Sequence, residues 1–173
     1  MRRTLLILSA CALVAAGKPS GWSTDQRACP VKRAPAGLAG EVVKAMLPGA
    51  TETEISDTAA EQLAGVAIDC AKQTKVAKAR LDSYIELATW QLTSAGLADA
   101  IKGRGLDPVM LNTAMNVGQG KANPSFENLS DAQVTRLMVA LKAKGVAVET
   151  LPEDTWQLVG SYLEATSRAW RMR

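Results

Sequence analysis

Residues Ser83 to Ala98, SYIELATWQLTSAGLA, place two aromatics and several aliphatics around a single charged side chain, Glu86. A helix of this sequence is apolar nearly all round, and such a helix is stable in water only if other elements cover every side of it. The chain is therefore expected to be all-α: a small irregular bundle of five or six helices wrapped around this rod, with an irregular N-terminal arm. Its 173 residues, 47% of them hydrophobic, suffice for one domain with its own core, expected over residues 37–173.

The N-terminus reads as an export signal. Met1-Arg2-Arg3 is a charged n-region, Thr4 to Ala15 is an apolar run, and Val14 and Ala16 are the small residues before a cleavage point at Gly17. The run is too short to span a bilayer. Residues 1–16 are expected to be removed, which makes the protein periplasmic or secreted, with no transmembrane helix in the mature chain. Leu8-Ser9-Ala10-Cys11 resembles a lipobox, and the alternative is a lipid anchor on Cys11. Either route leaves the pair Cys29 and Cys70, and an exported chain with an even cysteine count is expected to join them. Closing a loop of about 40 residues stabilises by roughly 3 to 4 kcal/mol on the chain-entropy estimate.

Local grammar divides the rest. Residues 17–36 hold Gly17, Pro19, Gly21, Pro30 and Pro35 with few aliphatics, the pattern of an irregular arm anchored by Trp22. Leu38, Val42, Val43, Met46 and Leu47 have helical spacing, ended by Pro48-Gly49. Thr51 and Glu54 spell a capping box for a second helix over 52–79, to which the disulfide would pin the arm. Ser83 and Glu86 spell another, which puts a break near Leu81 and runs the third helix to about Lys102. Asp107 and Pro108 open a fourth helix, Ser130 with Gln133 a fifth, and Pro152 at N1 a sixth. In that last helix Trp156, Val159, Leu163 and Trp170 fall near one face. Asn116 to Leu129 is the longest polar segment of the mature domain, read as a solvated connector. Residues 100–111 and 140–151 echo each other as two helix-Gly-helix corners.

The chain contains no histidine. That removes the usual general base, the Ser-His and Cys-His nucleophile pairs and most catalytic zinc sites. Paired cysteines leave no thiol nucleophile. Carboxylate chemistry remains: a buried Glu86 as general acid, with Asp82 or Asp99 as its partner, would suit glycan cleavage. The competing reading makes Glu86 the N3 residue of a helix cap. Gly118-Gln119-Gly120-Lys121 lacks the spacing and the following Ser or Thr of a phosphate loop, and no Asp or Asn cluster has calcium-loop spacing, so neither cofactor nor metal is expected.

Of the 20 Lys and Arg, Arg2 and Arg3 lie in the expected signal, so 18 cations against 17 acids leave the mature chain at +1. Such a balance argues against a nucleic-acid partner. Lys72, Lys75 and Lys78, with Arg80, form a basic ridge suited to an anionic envelope surface, and the Trp156 to Trp170 face or the loop after Gly118 is suited to an envelope protein. The reading is an exported, non-catalytic binding or envelope-associated structural protein. A carboxylate-dependent hydrolase acting on cell-wall glycan is the alternative.

Overall fold

The structure is a computed structural model that describes residues 21–47, 49–50 and 54–173. The expected signal with Cys11, as well as Pro48 and the Thr51 cap, lies outside these residues. Among the described residues the chain forms seven α-helices and no strand: α1 (Thr24–Arg33), α2 (Leu38–Val43), α3 (Asp57–Gln73), α4 (Leu81–Gly103), α5 (Pro108–Ala114), α6 (Asp131–Ala143) and α7 (Glu153–Arg171). None of these is long and apolar enough to cross a membrane.

Helix α4 is the rod the sequence calls for. Its buried residues Tyr84, Leu87, Ala88, Leu92, Thr93, Gly96, Leu97 and Ile101 fall on every side of the axis at the helical period. The surrounding helices α1, α2, α3, α5 and α7 all pack on it. Helix α2 comes especially near at Gly96. A Cβ on Gly96 would stand 2.1 Å from the Ala39 carbonyl oxygen and 2.9 Å from Val43 Cγ2. A backbone carbonyl inside a helix cannot step aside as a flexible side chain can. The main core spreads from here through α2, α5, α6 and α7, and a smaller one gathers Trp22, Cys29, Cys70, Ala71, Tyr84 and Leu87 at the N-terminal end.

Residues 17–36 were expected to be irregular, and the structure corrects this with α1. Ser23 and Gln26 form a reciprocal capping box, Asp25 sits in the first turn, and Lys32 and Arg33 sit in the last, as the helix dipole favours. Pro30 lies inside this helix and cannot donate to the Gln26 carbonyl. Tyr84 Oη donates to that carbonyl instead, at 2.8 Å. The hydroxyl thus fills the gap the proline leaves, and burial pushes the phenol pKa up. Cys29 and Cys70 are joined, with S–S 2.01 Å and a sequence separation of 41, so α1 is tied to α3.

Helix boundaries shift for identifiable reasons. Helix α3 starts at Asp57 because Ser56 Oγ accepts from Ala59 N at 3.3 Å, and it ends at Gln73 rather than near 79. The Ser83 and Glu86 box does not form: α4 begins two residues earlier, with Arg80 at the N-cap position and no side-chain cap. Pro152 is the N-cap of α7, not N1.

Four helices stop in the same way. After α3, α4, α5 and α6 the residues Lys75, Gly105, Asn116 and Gly145 take positive φ, from 54° to 78°. The next residues, Val76, Leu106, Val117 and Val146, donate back to the carbonyls of Ala71, Ile101, Asn112 and Leu141 at 2.9 to 3.2 Å. This is the Schellman arrangement with an apolar residue after the turn. The echo between residues 100–111 and 140–151 is this shared stop.

Two outcomes are expected. Gly96→Ala should cost about 3 kcal/mol of stability, read from the denaturant midpoint, because α2 must lift off α4. Lys75→Gly should raise stability by about 0.5 to 1 kcal/mol with the denaturant slope unchanged, since a side chain in the left-handed region is strained.

Candidate functional site: a basic cleft beside the last helix

The C-terminal end of α7 exposes carbonyls that no further turn can satisfy. Arg27 of α1 reaches them: Nη1 donates to Ala169 O at 2.6 Å and Nη2 to Met172 O at 2.7 Å. Its guanidinium also lies 5.0 Å from the centre of the Trp170 ring. Burial lowers its pKa below the ordinary guanidinium value. Next to it Trp22, only 5% exposed, meets the edge of Tyr84 at 5.3 Å and the guanidinium of Arg80 at 3.7 Å.

The polar segment from Asn116 to Leu129 is a built loop and not a plain connector. Asn123, 8% exposed and at φ 48°, organises it. Its Oδ1 accepts from Gly118 N at 2.8 Å, and its Nδ2 donates to the carbonyls of Gly118 and Lys121 at 2.9 and 3.0 Å. Downstream, Ser167 Oγ donates to Pro124 O at 2.6 Å and Glu164 accepts from Phe126 N at 2.6 Å. With Phe126 buried in the main core, the loop is held against α7.

Between α1, the middle of α4, this loop and the end of α7 lies a cleft of about 690 Å³. Trp170 and Trp22 supply its aromatic surface, Gln91 and Gln119 its neutral amides, and Arg27, Lys121, Arg171 and Arg173 its charge. Among the described residues no Asp or Glu lines it. Two of the cations are committed: Arg27 caps α7, and Arg171 pairs with Glu164 at 2.6 Å. Lys121 and Arg173 are exposed, and no acidic side chain among the described residues pairs with them.

Of the residues singled out from sequence, the structure brings Trp170 and the loop after Gly118 to one place. Trp156 is elsewhere, half-buried against the main core and about 20 Å away along α7 at 1.5 Å per residue. Lys72, Lys75 and Lys78 do not form a single helical ridge. Lys72 is on α3 and lies 3.9 Å from Asp69, Lys75 occupies the turn after it, and Lys78 belongs to a 3-10 turn at 78–80. Lys75 instead joins Lys32 and Arg33 around a second hollow of about 390 Å³ beside the disulfide.

The carboxylates considered for catalysis all sit on α4 and are exposed. Glu86 accepts from Trp90 Nε1 at 3.4 Å, and Asp99 pairs with Lys102 at 2.9 Å. Asp82 lies one turn from Glu86 on the same helix, and Asp99 is about 20 Å further along it, given the rise per residue. Glu86 is not the buried acid that glycan cleavage requires. Among the described residues no three His, Cys, Asp or Glu side chains gather to hold a metal ion. Compared with known protein families, curated proteins and solved structures, the chain matches none.

Asn123→Ala should cost about 2 kcal/mol, because it leaves the amide of Gly118 and the carbonyl of Lys121 unpaired and takes from the Gly118 carbonyl one of its two donors, the other being Lys121 N. Hydrogen exchange should locate the loss, with the Gly118 and Asn123 amides exchanging faster while α4 keeps its protection.

Proposed function

We propose that the protein is an exported, non-catalytic binding protein of the cell envelope, and that the cleft beside Trp170 takes its ligand. The observation that supports this most is a recess of ligand-binding size whose charged lining is cationic throughout. Concentrating like charge in one hollow is unfavourable unless an anion joins it, and it raises the local concentration of anions. A chain balanced near +1 once Arg2 and Arg3 are removed has no excess of cations to scatter at random. The joined cysteines suit the oxidising periplasm or exterior that the N-terminal pattern implies.

Fractionation tests both halves of the reading. The protein should be recovered from the periplasm or medium, beginning at Gly17 and disulfide-bonded, and it should sediment with isolated envelope material less as salt rises. A Lys121→Glu, Arg173→Glu double variant with an unchanged melting temperature should stay in the supernatant. If the wild type also stays there at low salt, or the double variant sediments equally well, the cleft is not the binding site.

A further inference from the structure

We infer that the cleft recognises an acidic saccharide: a sugar carrying one oxyanion group, either a carboxylate or a phosphate ester. This rests on the reading of the cleft as a binding site and adds what it binds.

Three observations converge. The turn held by Asn123 leaves the backbone N–H groups of Gln119, Gly120 and Ala122 without an acceptor among the described residues. Neighbouring unpaired amides on a glycine-containing turn, here the pair at Gln119 and Gly120 with Ala122 beyond the Lys121 N–H that donates to Gly118 O, are donors suited to an oxyanion. Beside them, Lys121 and Arg173 hold charge that no acidic side chain among the described residues takes up, while Arg27 and Arg171 add field but have their strongest contacts elsewhere. The surplus suits a ligand bearing one or two negative charges rather than a polyanion. Gln91 and Gln119 then offer groups that both donate and accept, as sugar hydroxyls require, and the half-buried Trp170 offers a flat apolar surface.

Residues 1–20 contain Arg2, Arg3 and Lys18 and no acidic residue, so they cannot neutralise the cleft. A volume near 690 Å³ matches one or two sugar rings better than the face of a helix.

The full disulfide-bonded protein is titrated at low salt with glucuronate, glucose 6-phosphate, glucose and inorganic phosphate, followed by tryptophan fluorescence and calorimetry. At least one acidic sugar should bind with one-to-one stoichiometry, glucose should not, and inorganic phosphate should bind more weakly than the sugar. Glucuronate alone would identify a carboxylate ligand and glucose 6-phosphate alone a phosphate ester. Lys121→Gln should weaken binding about tenfold, as loss of a charge-assisted contact implies, and Lys121→Arg should largely restore it. Failure of both acidic sugars at millimolar concentration, equal binding of glucose or of inorganic phosphate, or indifference to Lys121→Gln would overturn the inference. If the envelope sedimentation still depends on Lys121 and Arg173 in that event, the cleft binds another anion and the wider reading stands. If sedimentation is also insensitive, both fall.

Discussion

Covering α4 on all sides is what α1, α2, α3, α5 and α7 accomplish together, with α6 packed behind α5. An amphipathic helix needs one neighbour, whereas a helix with buried residues at each angle of its axis needs a ring of them. The ring closes tightly only because Gly96 lets the carbonyl of Ala39 come within a distance no Cβ would permit. On the opposite arc the contact with α7 carries a polar link, Ser94 Oγ to Thr166 Oγ1 at 2.7 Å, with Thr166 also donating to Tyr162 O. Buried hydroxyls satisfied in this way set the register between two helices that apolar packing alone would leave free to slide.

At the N-terminal end of the rod a second, smaller core ties α1 in by several independent means. A disulfide joins it to α3, Tyr84 of α4 donates to it where Pro30 interrupts its ladder, and Arg27 extends from it to the end of α7. Three of the four tryptophans carry a guanidinium over the ring, from Arg80, Arg168 and Arg27. Cations thereby stack on buried or half-buried indoles, and Arg168 also lies 3.9 Å from Glu127. The same arrangement leaves the neighbouring cleft cationic.

The all-α architecture and the central rod could be read from sequence because they follow from composition within one stretch, Ser83 to Ala98, and require no knowledge of partners. The Ser130 cap and the stops at Gly105 and Gly145 were legible because Ser, Gln and Gly occupy the positions that capping chemistry prefers. Lys75 and Asn116 perform the same stop as those glycines, and a lysine in the left-handed region leaves no trace in a propensity argument. Helix α1 was hidden by Pro30 and a shortage of aliphatics, although the Ser23 to Gln26 spacing was present as a signal. The cleft could not be seen at all, apart from Trp170 and the loop after Gly118 as separate suggestions. Its walls come from both ends of the chain, and local patterns say nothing about which distant segments meet.

The Arg27 contacts have a consequence for how the molecule comes into being. They span 142 and 145 positions, so α1 closes on carbonyls that are synthesised long after it. Helices α2 to α6 can begin to collapse before α7 is made, whereas α1 has no complete berth until α7 is present. Vectorial synthesis therefore makes the docking of α1 wait on a segment far downstream of it.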